Sequence, residues 1–201
     1  MLAQTPPMGW NSWNTFGSNI NEQLIFEIAD AMVDKGYRDA GYEYLVIDDC
    51  WSCRERDRSG KLVADPEKFP HGMKYVTDYI HSKGLKAAGI MTCAGYPGSY
   101  GHEYQDAHTF AEWGVDYLKY DLCHYPGSGD VRNSYLTMSM ALRSTGREIL
   151  FAGCTCGTYD PWDWMRSIGA HMYRSHADIT DEYEAFRYIA QTQLPNFKYS
   201  G

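Results

Sequence analysis

Short apolar runs alternate with longer segments of helical periodicity along the whole chain. The stretch YEYLVIDD at residues 42–49 is apolar, short enough for a buried strand, and ends in two acids. Residues 21–35 repeat apolar side chains every three or four positions, and Asn21 is placed to cap such a helix. The same patterns predict strands at residues 7–13, 42–49, 85–91, 116–121, 148–153 and 171–176, and helices at residues 21–35, 71–83, 105–113, 130–144, 161–168 and 181–193.

These six strand–helix units indicate an α/β fold with parallel strands that are buried on both faces. A doubly wound sheet and a (β/α)8 barrel both fit the alternation, but no glycine-rich dinucleotide loop follows the first strand. Four acids, Asp48, Asp49, Asp121 and Asp178, lie at or just after predicted strand ends. Such ends converge on one open face of a barrel, where its chemistry resides, so the acids favour the barrel.

A complete barrel of this type usually has eight units in about 250 residues, whereas this chain has about six units in 201 residues. We therefore expect residues 1–201 to form one barrel domain, incomplete at its C-terminus and without a β-sandwich domain. The exposed edge strands of an open parallel sheet carry unpaired backbone groups that can pair with another chain. Closure of the barrel by a homo-oligomer is therefore an alternative.

Composition narrows the classes of partner. The net charge of −8 argues against nucleic acid, which requires a basic surface, and no run of about 18 apolar residues predicts a membrane span. The N-terminus MLAQTPPMGW does not resemble a signal peptide, so we expect a cytoplasmic protein whose six cysteines are thiols. Aromatic residues make up 15% of the chain, which fits either sugar stacking or ordinary packing.

Several long motifs resemble one family. They are TPPMGWNSWN, DAGYEYLVIDDCW, ADPEKFPHGMK, YIHSKGLK, TFAEWGVDYLKYD and YRSHADI, in order along the chain. They are similar to those of glycoside hydrolase family 27, which contains α-galactosidases and α-N-acetylgalactosaminidases. The resemblance implies a (β/α)8 barrel, a small carbohydrate as substrate, and a reaction that uses neither cofactor nor metal. It also implies that two units and a β-domain of the family pattern are absent from these 201 residues.

The resemblance also implies roles for individual residues. Asp121 matches the catalytic nucleophile of the KYD motif, and Asp178 matches the acid/base of the R-x-x-x-D motif. The predicted substrate-binding residues are Trp13, Asp48, Asp49, Cys93, Lys119, Thr155 and Arg174.

Elementary chemistry agrees with two of these roles. A retaining glycosidase needs one ionised carboxylate as nucleophile and one protonated carboxyl group as proton donor. Lys119 lies two residues before Asp121, on the same side of a strand, and its ammonium favours an ionised carboxylate. The apolar neighbours Ala177 and Ile179 favour a protonated Asp178, although Asp178 also fits the cap of the following helix.

Other residues keep two interpretations. Asp48 and Asp49 can accept sugar hydroxyls, or they can be loop acids or metal ligands. We expect Trp13 to face the ligand and Trp10 to pack. The pairs Cys50-x-x-Cys53 and Cys154-x-Cys156 lack the usual zinc-site spacing. Cys93 and Cys123 match a disulfide of family members from oxidising compartments, and in a cytoplasm we expect both to be reduced.

Two departures from the family pattern bear on specificity. The loop after the third strand, at Met91, is shorter by about six residues and lacks a Tyr that lines the sugar site in the family. After the fifth strand, Thr155 stands where α-galactosidases carry a Glu, which leaves room for an acetamido group. The alternatives are therefore an α-N-acetylgalactosaminidase or related α-glycosidase, and a catalytically degenerate sugar-binding barrel.

Overall fold

The computed structural model describes residues 2–90, 93–125 and 130–199. Its six strands are all parallel and lie side by side in chain order, which gives a curled half-barrel. The strands are β1 (Gly9–Asn11), β2 (Tyr44–Ile47), β3 (Lys86–Ile90), β4 (Tyr117–Asp121), β5 (Leu150–Cys154) and β6 (Met172–Arg174). The predicted barrel-type α/β fold with about six units is confirmed.

Helices connect consecutive strands. They are α1 (Trp13–Phe16), α2 (Glu22–Asp34), α3 (Gly72–Ser82), α4 (Glu103–Trp113), α5 (Val131–Ser144), α6 (Pro161–Trp164) and α7 (Tyr183–Gln193), followed by a 3-10 helix at Leu194–Tyr199. Asn21 caps α2 as predicted, since its Oδ1 accepts from the Leu24 amide at 2.8 Å. The helix predicted at residues 161–168 is shorter in the structure and ends at Trp164.

The sheet has two differently packed faces. Alternate residues of β4 show this, because Leu118 and Tyr120 are buried on the face that packs against the helices. Tyr117, Lys119 and Asp121 project to the other face and are only partly buried. The larger core fills the space between sheet and helices. A smaller cluster of Tyr44, Leu150 and Ala152, with Tyr117 and Met172 packed against it, occupies the inner face.

One ion-pair network fixes β3, β4 and β5 at their amino ends. The Asp116 carboxylate contacts His81 Nε2 at 2.7 Å and the Ala87 amide at 2.9 Å. Arg147 Nη2 donates to the other oxygen of Asp116 at 2.5 Å. The strands are thus held in register at the end opposite to the predicted catalytic acids. Within the described residues, no helix combines the length and apolarity that a membrane crossing requires.

Candidate active site

Three polar side chains lie in one row across the carboxyl ends of neighbouring strands. Asp121 ends β4 and is in register with Cys154, the last residue of β5, which is in register with Arg174, the last residue of β6. Residues in register on parallel strands project to the same face. The fold therefore brings together residues that are separated by 33 and by 20 positions in the sequence (154 − 121 and 174 − 154).

Lys119 and Asp121 form an ion pair on this face. Lys119 Nζ lies 3.1 Å from Asp121 Oδ2, and only 24% and 5% of the two side chains are exposed. Burial of the Lys119 ammonium acts to lower its pKa, but the attraction of Asp121 and of neighbouring groups outweighs burial and raises the pKa above its ordinary value. The ammonium thus stays charged beside the carboxylate, as the sequence spacing predicted.

Cys154 is a member of the site that sequence analysis missed. Its side chain is buried, and burial together with the nearby Asp121 charge raises the pKa of the thiol to about 12. Arg174 Nη1 lies 3.8 Å from the sulfur, and the Cys156 sulfur lies 3.9 Å from it. In the sequence, Cys154 stands out only as part of the pair Cys154-x-Cys156, which lacks the usual zinc-site spacing. Its register with Asp121 becomes visible only in the folded sheet.

Asp178 lies in a different environment from the one predicted. Its side chain is 90% exposed, and Arg174 Nη2 contacts its Oδ1 at 2.5 Å. The expected apolar surround is therefore wrong, because Ala177 and Ile179 leave the carboxyl group in solvent. The capping alternative is also wrong, since the cap residue of α7 is Glu182.

Asp48 and Asp49 are both buried, and neighbouring donors hold both side chains. Asn11 Nδ2 donates to Asp48 Oδ2 at 2.8 Å, and the Asp49 amide donates to Asp48 Oδ1 at 2.8 Å. Asp49 accepts three backbone hydrogen bonds, from the amides of Cys50 at 2.6 Å, Cys93 at 2.6 Å and Ala94 at 2.7 Å. Asp49 thus anchors the loop after β3 to the end of β2, a role that the sequence did not indicate.

The remaining predicted contacts differ in exposure. Trp13 is 44% exposed and begins α1, whereas Trp10 packs against the core and contacts the Phe16 ring at 6.1 Å between centroids. Thr155 is only 1% exposed, and its Oγ1 has no hydrogen-bond partner among the residues that the structure describes. Met91, at the shortened loop, lies outside the described residues.

Cys93 and Cys123 form a disulfide that joins the loop after β3 to the loop after β4, with their Cα atoms 4.9 Å apart. The expectation of six thiols is therefore wrong for these two, because the fold brings the two strand ends together. Cys50, Cys53, Cys154 and Cys156 are free. Cys93 is further held by two backbone contacts, its amide to Asp49 at 2.6 Å and its carbonyl to His124 Nε2 at 3.0 Å.

A buried ion pair supports the loops around the site. Arg56 donates to both carboxylate oxygens of Asp106, at 2.7 and 2.6 Å, and also to the carbonyls of Gly60 and Gly98, both at 2.8 Å. Asp106 lies on α4 and is fully buried. This fork ties the loop after β2 to α4 and to the loop after β3. Sequence analysis missed it because its partners are 50 residues apart.

Two cavities open near the strand ends. One of about 510 Å³ is lined by Lys119, Cys154, Arg174 and Asp178, among others. A second, of about 300 Å³, is lined by Asp121 with Tyr96, Tyr100, His124 and other residues. In the described ranges, no three His, Cys, Asp or Glu residues converge as metal ligands. The two carboxylates, each paired with a cation, thus line different cavities: Asp178 lines the larger one and Asp121 the smaller one.

Comparison with known proteins shows the family. The family described as "Alpha galactosidase A" matches residues 5–198. α-Galactosidase A of Cellvibrio japonicus is 52% identical over 183 residues, which are 89% of this chain and 45% of that protein. α-Galactosidase I of Mortierella vinacea has a TM-score of 0.87 at 43% identity, over 90% of this chain and 48% of that one.

A third relative adds a bound sugar. The structure of the Saccharomyces cerevisiae α-galactosidase with raffinose has a TM-score of 0.87 at 42% identity, over 90% of this chain and 42% of that one. This chain spans about half the length of the curated relatives that it matches. The long motifs and the family match together identify the chain as a member of glycoside hydrolase family 27, the family of the α-galactosidases.

Proposed function

We propose that this protein is a retaining exo-α-galactosidase, which removes terminal α-D-galactosyl residues from oligosaccharides or glycoconjugates. The observation that carries the proposal is the ion pair between Lys119 and Asp121 at the carboxyl end of β4, with Nζ and Oδ2 3.1 Å apart. Barrel enzymes place their chemistry at these strand ends. The names of the relatives support the choice of sugar, and the yeast structure with raffinose supports a carbohydrate ligand.

The proposed reaction has two displacements. In the first, the Asp121 carboxylate attacks the anomeric carbon while the glycosidic C–O bond breaks and Asp178 gives its proton to the leaving oxygen. In the second, Asp178 takes a proton from water, the water oxygen attacks the same carbon, and Asp121 is released. The sugar ends with its original anomeric configuration.

Proton transfer by Asp178 requires a change in its surroundings. Arg174 Nη2 lies 2.5 Å from Asp178 Oδ1, so donation of a proton to the leaving oxygen requires the two groups to separate. We infer that substrate separates this pair, by covering the exposed carboxyl group and by drawing Arg174 to a sugar hydroxyl. The first step then begins from a protonated Asp178 and an ionised Asp121.

The sugar itself would be held by the charged and aromatic groups near these acids. Lys119 and Arg174 line the larger cavity and can donate to hydroxyls. Trp13 offers an exposed ring to a pyranose face. Asp48 and Asp49 hold spare lone pairs beyond their present bonds, and the Cys93 backbone lies beside Asp49.

A second specificity, α-N-acetylgalactosaminidase or a related α-glycosidase, rests on Thr155. It is small and uncharged at the end of β5, and its buried Oγ1 lacks a partner among the described residues. A Glu at this place would hydrogen-bond to the 2-hydroxyl group of the sugar, whereas Thr leaves space for an acetamido group at that carbon. Thr155 does not line the cavity of Lys119 and Asp178, so an opening of the β5 loop is part of this alternative.

Hydrolysis of aryl glycosides tests the proposal. The protein should release the phenol from an aryl α-galactoside, and Asp121→Asn should abolish release, whereas the exposed Asp39→Asn should act like wild type. Faster release from the N-acetyl analogue would select the second specificity. Calorimetric binding of galactose without turnover of either substrate would refute both and indicate a degenerate sugar-binding barrel.

The location and the assembly of the protein are further proposals. The expected cytoplasmic location stays a prediction, and the Cys93–Cys123 disulfide is typical of oxidising compartments. In the described part of the sheet, β1 and β6 each pair with one neighbour, which favours a homo-oligomer. Sedimentation as a monodisperse monomer would contradict it.

A further inference from the structure

Cys154 occupies the middle of the row that separates the two proposed catalytic acids. It is in register with Asp121 on one side and with Arg174 on the other. Arg174 in turn contacts Asp178 at 2.5 Å. The thiol therefore lies between Asp121 and Arg174, the residue that contacts Asp178.

The chemical state of Cys154 suits both contacts. Burial and the Asp121 charge raise the pKa of the thiol to about 12, so it keeps its proton at neutral pH. A neutral thiol has one S–H donor and a sulfur acceptor. Asp121, in register with Cys154 on the neighbouring strand, offers an acceptor for this donor, and the sulfur lies 3.8 Å from Arg174 Nη1 and 3.9 Å from the Cys156 sulfur. The backbone of Cys154 is also fixed, because the Tyr135 hydroxyl donates to its carbonyl at 2.8 Å.

We propose that Cys154 is a positioning residue that donates its S–H to Asp121, accepts from Arg174, and so sets the orientation of the nucleophile relative to the acid/base. This inference rests on the proposed function, since it assigns the two carboxyl groups their roles. Lys119 holds Asp121 from one side through Nζ, and Cys154 holds it from the side of β5. A nucleophile that is held at two points loses less entropy on reaching the attack geometry.

Kinetics test the positioning role. Cys154→Ala should lower kcat on an aryl α-galactoside by about tenfold or more, as the loss of a hydrogen bond to a charged group predicts, with KM changed by less than about threefold. Cys154→Ser should recover most of kcat, because a hydroxyl group can donate and accept at the same place. The control is Cys53→Ala, a free cysteine in the loop after β2 that should keep wild-type kinetics. Wild-type kcat in Cys154→Ala would overturn the inference.

Infrared spectroscopy tests the contact without activity. The difference spectrum of wild type minus Cys154→Ser isolates the S–H stretch of Cys154. We expect this band to shift to higher frequency in Asp121→Asn, because a carboxylate accepts a stronger hydrogen bond than an amide. An unchanged band would overturn the link. If wild type and Cys53→Ala both fail to cleave the substrate, the proposed function fails, while a shifted band still supports the link.

Discussion

The three backbone bonds to Asp49 predict that Asp49→Asn destabilises the fold by about 3 kcal/mol. Hydrogen bonds to a charged acceptor contribute about 1.5–3 kcal/mol each, against about 1 kcal/mol for neutral partners. An Asn side chain can still accept from Cys93 and Ala94 with its one oxygen, at neutral strength. Its amide group then faces the Cys50 amide, so donor meets donor and that bond is lost.

Denaturant unfolding followed by circular dichroism measures this effect. For a domain of about 200 residues, a loss of about 3 kcal/mol corresponds to about 6–12 °C in Tm. The matched control is Asp78→Asn, an exposed carboxylate paired with Lys74 at i,i+4, which should change stability by less than about 0.5 kcal/mol. Equal unfolding midpoints for Asp49→Asn and wild type would refute the anchoring role. A normal midpoint with a raised KM would assign Asp49 to the substrate instead.

Three other perturbations follow from the same geometry. Lys119→Met should lower kcat on an aryl α-galactoside by about a hundredfold, because it removes the charge beside Asp121. Lys119→Arg keeps a charge there and should recover part of the lost kcat. Steady-state kinetics that give the same kcat for Lys119→Met and Lys119→Arg would contradict this. Reduction of the Cys93–Cys123 disulfide, whose cysteines are 30 residues apart, should cost about 3–4 kcal/mol in unfolding free energy. The difference between the unfolding midpoints with and without reductant measures this cost. Cys93→Ser has no such disulfide, so its midpoint should be the same with and without reductant. The Cys154 thiol has a pKa of about 12 when folded and 9.0 as its ordinary value, so its contribution to stability is present below about pH 9 and is lost as pH rises towards 12. Wild type should therefore lose stability above pH 9 more steeply than Cys154→Ser, and parallel profiles would exclude this contribution.

Local patterns predict the strands and helices of this chain well, because each leaves a clear period in the sequence. The predicted strand at residues 116–121 is β4 within one residue, and Asn21 and Asp130 cap α2 and α5 at the start of the predicted helices. Strand ends also predict the face on which acids gather, since parallel strands share one direction. The spacing of Lys119 and Asp121 predicts their pairing for the same local reason.

Contacts between distant segments escape such patterns. Asp48 and Asp49 are adjacent and alike in sequence, yet only Asp49 receives the amides of the loop after β3, some 44 residues away. The environment of Asp178 depends on how the segment after β6 leaves the sheet, and its neighbours in sequence predicted the opposite exposure. Cys154 reaches Asp121 through strand register, which residue type does not encode.

The single domain over residues 1–201 and the roles of the predicted site residues are expectations that rest on the family motifs and on the geometry of the strand ends. The shortened loop at Met91 lies outside the described residues. The alternative specificity at Thr155 depends on the β5 loop, where Thr155 is buried.

Covalent labelling tests the role of Asp121 most directly. A fluorinated α-galactosyl donor with a good leaving group slows the second displacement, so that the glycosyl-enzyme of a retaining enzyme accumulates. After digestion, mass spectrometry should find one galactosyl label, on Asp121, and none in Asp121→Asn. A label on another carboxylate, or hydrolysis of the donor at an unchanged rate by Asp121→Asn, would contradict the assignment of Asp121 as the nucleophile.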